Sequence, residues 1–155
     1  MKYSELNSLS NIDNIKVEQF GQNYFIKGSP TEKDIDSAKN GFNKIKEILK
    51  SGRLENPYYA RLEFGSYLPN WPYENYKKSY AARKDLGGGV INTISHEIDL
   101  IQFFFGDPKK ICSVNYNFDK LNIEVEEMNE SIFSYDGICV SLHLDYLQKE
   151  YHRSI

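Results

Sequence analysis

The stretch Leu86–Gly106, LGGGVINTISHEIDLIQFFFG, decides how the rest of the 155-residue chain is read. Gly87, Gly88 and Gly89 open a segment in which Ile91, Ile94, Ile98, Ile101 and Phe105 recur at helical spacing. That stripe predicts a helix with one face turned to a core. Asn92, His96, Asp99 and Phe103 fall on a different face, within roughly 60° of one another, and Leu100 and Phe104 add an apolar flank beyond them. A helix apolar on both flanks is mostly buried, so its polar stripe is expected to line a cleft or meet a partner. The same residues also admit a plainer reading. A histidine beside acids on a helix is more often structural than catalytic, and a glycine run is usually a turn. The run can present N–H groups to an anion at a helix N-terminus, but no Gly-x-Gly-x-x-Gly or Walker spacing surrounds it.

Before this stretch, residues 1–14 are polar and without period, and a frayed start is expected. KVEQFGQNYFIKG, residues 16–28, then reads as a short strand. Ser29-Pro30-Thr31-Glu32 has the form of a capping box with proline at the first helical position. The helix it announces has Ile35, Ala38, Phe42, Ile45 and Leu49 as its apolar stripe, Lys44, Lys46 and Lys50 on the remainder, and Gly52 to end it. From Pro57 to Leu68 the chain alternates Tyr58, Ala60, Leu62 and Phe64 against Tyr59, Arg61 and Glu63, the period of a half-buried strand closed by Pro69. Asn70–Asp85 is aromatic, polar and cationic without a clean period, a long connection with room for a turn of helix.

After it, Gly106-Asp107-Pro108 is an abrupt stop, and Ile111–Phe118 alternates as a strand. Ile123–Tyr135 is a weaker strand pattern whose acids, Glu124, Glu126, Glu127 and Glu130, read as a solvated face. Asp136-Gly137 offers a two-residue hairpin turn. In the returning strand Ile138, Val140, Leu142, Leu144 and Tyr146 alternate with Cys139, Ser141, His143 and Asp145. His143 and Asp145 thus share a polar sheet face, a setting that favours a structural or interface role over catalysis. Gln148–Ile155 reads as a charged and polar end without the segment that usually covers a sheet edge.

The predicted fold is α+β: a mainly antiparallel sheet with helices packed on one face, and no dinucleotide-binding Rossmann domain. Residues 1–28 form a short N-terminal segment and 29–155 the domain itself. With 19 basic and 22 acidic residues the net charge is −3, and there is no basic stripe of the kind nucleic acid requires. Cys112 and Cys139 form no Cys-x-x-Cys pair, so neither a disulfide framework nor a metal site is expected, and buried reduced thiols are. No apolar run suits a membrane span or a secretory leader, and a cytoplasmic location is expected. Aromatic residues make up 14% of the chain, and residues 58–80 hold many of them, as core filler or as a sugar-stacking or interface surface.

Residues 57–106, above all ARLEFGSYLPNW and NYKKSYAARKDLGGGVINTISHEIDLIQFFFG, resemble the substrate-side domain of the Gfo/Idh/MocA oxidoreductases, the relatives of glucose–fructose oxidoreductase and inositol dehydrogenase. The likeness extends to DGICVSLHLDYLQ and covers roughly residues 20–150. It implies an NAD- or NADP-dependent enzyme of sugars or nucleotide-sugars, whose cofactor is bound by a Rossmann domain. That domain has no counterpart here and would be separately encoded, leaving this chain a truncated, inactive half. The resemblance also implies a catalytic histidine at His96, exchanging a proton with the substrate carbinol or ketone. Trp71, Tyr80, Arg83 and Lys84 would hold the sugar or its phosphate, with Asn92 and Thr93 at the reacting end. Many relatives carry an acid four residues before the histidine, where this chain has Asn92. Homo-oligomers paired through the open sheet face are implied as well, and a non-catalytic interface domain or an inactive remnant is the alternative.

Overall fold

The alternation read in the returning strand is realised residue by residue. Val140, Leu142, Leu144 and Tyr146 are fully buried, while His143 between them faces the other way and is half-buried. The computed structural model describes residues 15–20, 23–28, 35–54 and 57–155. Their order is β1 Ile15–Phe20, β2 Asn23–Gly28, α1 Ile35–Lys50, β3 Tyr59–Gly65, α2 Val90–Thr93, α3 His96–Phe105, β4 Lys110–Tyr116, β5 Met128–Ser134, β6 Cys139–Asp145 and β7 His152–Ser154. The strands form one sheet in the order β1-β2-β7-β3-β6-β5-β4. Only β3 and β6 run parallel, with Leu62 opposite Leu142; the other described pairs are antiparallel.

Register divides the sheet into two faces. On one, Ala60, Leu62 and Phe64 of β3, Val140, Leu142 and Leu144 of β6, and Phe133 of β5 pack beneath α2 and α3. On the other lie Arg61, Glu63, Ser141, His143, Asp145, Glu130 and Ile132. The helix-covered core continues into Leu68, Ala81 and Ala82 and into Leu121, Ile123 and Val125. This is the expected α+β layer with helices on one face.

Several elements differ from the sequence reading. KVEQFGQNYFIKG contains two strands rather than one, paired as a hairpin from Ile15↔Gly28 to Phe20↔Asn23. The central helix is in two pieces: Ile94 leaves helical geometry at φ −109°, ψ 32°. Val90, Ile91, Thr93 and Ile94 are all β-branched, which weakens this turn. Its buried stripe is Val90, Ile94, Glu97 and Ile101, whereas Ile91, Ile98 and Phe105 of the expected stripe are half-buried, so a carboxylate lies among the core positions. β4 is exposed along its whole length, on both faces, and carries the exposed Cys112; Cys139 is half-buried, and neither thiol is in a disulfide.

Asn70–Asp85 is a chain of short 3₁₀ turns at Tyr76–Lys78, Tyr80–Ala82 and Lys84–Leu86. The end of the chain is not a loose tail. His152–Ser154 is a strand whose Arg153 pairs opposite Phe64 of β3, a segment too short for any period to show in sequence. The capping box at Ser29–Glu32 and the expected fraying of the first residues lie outside the described residues. Among the described side chains of α1, Ile45 and Ile48 are buried, Phe42 meets Phe104 edge-on at 6.2 Å, and Lys46 sits over the Phe103 ring instead of projecting freely.

The acids of 123–135 are not a common solvated face; Glu124 alone among them is fully exposed. Glu127 is fully buried and accepts hydrogen bonds from the amides of Phe118 (2.9 Å) and Leu121 (2.6 Å). With Asn117, whose amide donates to the carbonyls of Ile123 and Val125, it ties the loop between β4 and β5 into the core. Replacing Glu127 by Ala leaves those two backbone donors unpaired and is expected to cost about 3 kcal/mol. Glu124→Ala should change stability by less than about 0.5 kcal/mol. Urea denaturation of both variants checks this, and equal midpoints would contradict the role given to Glu127.

Candidate functional site

The glycine triplet is a tight turn whose geometry excludes side chains. Gly88 donates to the Arg83 carbonyl (2.9 Å) and Gly89 to the Ala81 carbonyl (3.0 Å). A Cβ on Gly88 would overlap the carbonyls of Tyr80, Ala81 and Arg83. Gly89 has φ +114°, and a Cβ there would run into the carboxylate of Glu126. That carboxylate caps α2: Glu126 Oε1 accepts from the Ile91 amide at 3.3 Å, and its carbonyl from Val90 at 3.4 Å. The anion seat at this helix start is therefore filled by the chain itself. This helix start offers no pyrophosphate cradle. Among the described residues, no group of three or more His, Cys, Asp or Glu side chains is placed to hold a metal ion, and no helix is long and apolar enough to cross a membrane.

His96 is the first residue of α3, with about half of its side chain exposed. Its ring stands edge-on to Phe64 at 5.2 Å, and Phe64 meets Tyr151 in the same way at 5.3 Å. Nε2 of His96 lies 3.3 Å from Oε1 of Glu97, and that oxygen lies 2.7 Å from Nε of Arg153. Glu97 is wholly buried, Arg153 nearly so, and the Arg153 guanidinium also sits over the Phe42 ring. Burial raises the Tyr151 hydroxyl above its ordinary range, with Arg153 opposing.

The other sequence candidates surround the glycine turn. Asn92 is exposed, but its amide donates to the carbonyls of Gly87 (3.1 Å) and Gly88 (3.4 Å), so it holds the turn. Thr93 buries Oγ1 without a hydrogen bond. It interacts with the hydroxyl of Tyr146, which burial pushes well up. Trp71 packs edge-on to Tyr146 and donates from Nε1 to Ser66 Oγ at 2.9 Å, so it is partly wall and partly core. Tyr80 is half-exposed and meets Tyr73 edge-on. Arg83 is locked in a bidentate pair with Asp85, and Lys84 is exposed beside it. Tyr80, Arg83, Asn92 and Thr93 thus border the glycine turn, Trp71 stands against Tyr73 and Tyr146, and His96 lies past the break at Ile94, against Phe64 and Glu97. Glu97, Arg153, Glu126 and Tyr146 were missed. Glu97 alone left a signal, an acid at a core position of the helical stripe.

His143 is on the opposite face of the sheet. Its Nδ1 lies 2.5 Å from Glu130 and its Nε2 2.9 Å from Asp145. Around it on that face stand Arg61 and Glu63, with Glu63 also reached by His152 and Ser154. The hydrogen bond to Asp145 is the main cause raising the His143 imidazole above its ordinary value. Burial by itself would raise the Asp145 carboxyl, but His143 and the amides of Leu147 and Gln148 outweigh it and hold the group low.

A sequence profile for the GFO/IDH/MocA C-terminal domain matches residues 42–154, from the second turn of α1 through β7. The chain belongs to the Gfo/Idh/MocA family. Solved structures share the fold of this family domain. An inositol dehydrogenase homolog from Azotobacter vinelandii complexed with NAD+ superposes with a TM-score of 0.60 at 14% identity, over 72% of this chain and 31% of that one. The WlbA dehydrogenase from Bordetella pertussis, in complex with NADH and UDP-GlcNAcA, gives 0.59 at 18%, over 71% and 33%. The myo-inositol 2-dehydrogenase from Lactobacillus plantarum gives 0.57 at 20%, over 72% and 33%. The chain spans about a third of the length of these Gfo/Idh/MocA structures. No curated protein matches it.

The His143 cluster makes stability depend on pH in a stated direction. Between the unfolded imidazole value of about 6.5 and the raised folded value, the folded chain binds more protons than the unfolded chain, so stability falls as pH rises through that window. Asp145 acts at the other end. Its folded value is depressed, so its contribution is present above the unfolded carboxyl range and is lost as pH falls through the folded value. Denaturation midpoints should be highest between these limits, and His143→Gln should flatten the loss on the alkaline side. An unchanged alkaline slope in that variant would contradict the assignment.

Proposed function

We propose that this chain is the substrate-side domain of an NAD(P)-dependent oxidoreductase acting on a sugar or nucleotide-sugar, with His96 as its general acid/base. One observation carries the reading: on a segment whose neighbours Val90, Ile94, Glu97 and Ile101 are buried, His96 keeps about half its side chain exposed, against Phe64. A base must reach its proton, and an exposed imidazole clamped by an aromatic edge meets that requirement. The Bordetella protein is in complex with UDP-GlcNAcA and the Lactobacillus protein is a myo-inositol 2-dehydrogenase, which supports a hydroxyl-bearing ring as the substrate class. Tyr80 and Trp71 supply flat faces for such a ring, and Lys84 supplies a charge for a phosphate. The nicotinamide cofactor supplies the hydride chemistry and is held outside the described residues, so the proton step is what this chain contributes.

A second reading rests on the sheet face opposite His96. Tyr59, Val114, Tyr116 and Ile132 are exposed there, and Phe118 stacks on Tyr116 at 5.4 Å. An apolar strip of this kind fits self-association through the sheet.

With a dinucleotide-binding domain supplied, His96→Ala should lower turnover at least tenfold, the lower end of what a positioned acid/base contributes being about 10². Oxidation of NADH against a panel of keto-sugars reads this, and undiminished turnover removes His96 from the mechanism. Light scattering on the eluting chain tests the second reading: a dimer is expected, dissociated by Ile132→Glu, and a strict monomer at high concentration contradicts it.

A further inference from the structure

Glu97 is a fully buried carboxylate on the helix that carries His96. Neither of its oxygens has a hydrogen bond, and Arg153 Nε beside it has none either, although the two are 2.7 Å apart. Buried polar atoms in this state are rare because each forfeits its hydration, and those that persist commonly serve a site. A donor within a small rotation of Glu97 Oε1 is Nε2 of His96, at 3.3 Å. Hydrogen bonds of catalytic groups are often long in the free protein and tighten with substrate bound.

We infer that Glu97, held by Arg153, is a positioning residue that fixes the tautomer of His96, with the proton on Nε2 and the lone pair on Nδ1. The inference rests on His96 being the acid/base. An ionised carboxylate can only accept, so the imidazole nitrogen turned to it carries the hydrogen, and in the neutral ring the other nitrogen is the base. Asn92, four residues earlier, is turned to the glycine turn, where its Nδ2 donates to the carbonyls of Gly87 and Gly88. Phe64 fixes the ring plane from one side, and the Arg153 guanidinium fixes Glu97 from β7. Nδ1 is then the nitrogen that accepts the proton from a substrate hydroxyl, or returns it to a ketone oxygen. The resulting imidazolium pairs with Glu97 through Nε2.

The test needs only the chain itself. In the ¹⁵N-labelled protein at a pH where His96 is neutral, long-range ¹H–¹⁵N correlation should show Nε2 protonated and Nδ1 bare, with the Nε2 proton exchanging slowly enough to be seen. His96→Gln assigns the signals among the three histidines. In Glu97→Met, with the amide spectrum otherwise retained, the Nε2 proton resonance should be lost to exchange with water. A proton on Nδ1, or a ring proton that exchanges as fast in the wild type as in Glu97→Met, overturns the inference. Should Glu97→Met fail to fold, the wild-type exchange rate decides: a His96 Nε2 proton that survives where that of a free histidine peptide is lost supports the inference, and equal exchange overturns it. A purely structural role for Glu97 would change stability and leave these signals where they are. Undiminished turnover in His96→Ala would remove the reading on which the inference rests without altering the tautomer, so the two failures are distinguishable.

Discussion

Parallel pairing of β3 with β6 is the constraint from which the rest follows. Two parallel strands cannot be joined by a hairpin, so the chain leaving Gly65 has to travel before it can return beside Tyr59 as Cys139. It crosses the helix-covered face through the 3₁₀ turns, the glycine triplet, α2 and α3, then adds β4 and β5 at the edge and comes back as β6. The glycine turn sits where the crossing chain changes direction. Three carbonyls crowd Gly88 and a carboxylate crowds Gly89, so the path is fixed before His96 is reached. The imidazole stands over Phe64, a residue of the same central strand.

The sheet separates two kinds of chemistry. On the helix side, the buried Glu97–Arg153 pair links α3 to β7 through the core. Removing one partner of such a pair leaves an uncompensated buried charge, a cost of about 3–5 kcal/mol in general. The persistence of this pair beside an exposed histidine is why it is given a role beyond holding β7. On the other side, His143, Glu130, Asp145, Arg61 and Glu63 form a half-buried network. His96 and His143 thus belong to opposite faces of the sheet.

Alternation made β3 and β6 legible in sequence because one face of each is buried, and period 2 is a direct consequence of that. α1 was legible for the corresponding reason at period 3.6. β4 alternates in sequence yet is exposed on both faces, since it is the sheet edge and no helix reaches it. β7 is three residues long and carries no period. Its importance comes from Arg153 meeting Glu97, 56 positions earlier in the sequence, which no local pattern reports. Glu126 and Glu127 look like solvated acids in sequence, and only the fold shows that one caps the helix after the glycines and the other binds loop amides. The role expected of His96 came from resemblance more than from physics, and nothing in the local pattern announced that the Asn92 amide would donate to the glycine turn.

The central claim is that this chain supplies the substrate side of the reaction and leaves the nucleotide to another domain. Titrating NADH and NADPH into the purified 155-residue chain, followed by cofactor fluorescence, tests it most directly. No saturable change is expected from a chain shown by circular dichroism to be folded, because Glu126 already fills the helix start after Gly87–Gly89. Saturable binding of either nucleotide would contradict the claim and would place a cofactor site within these residues.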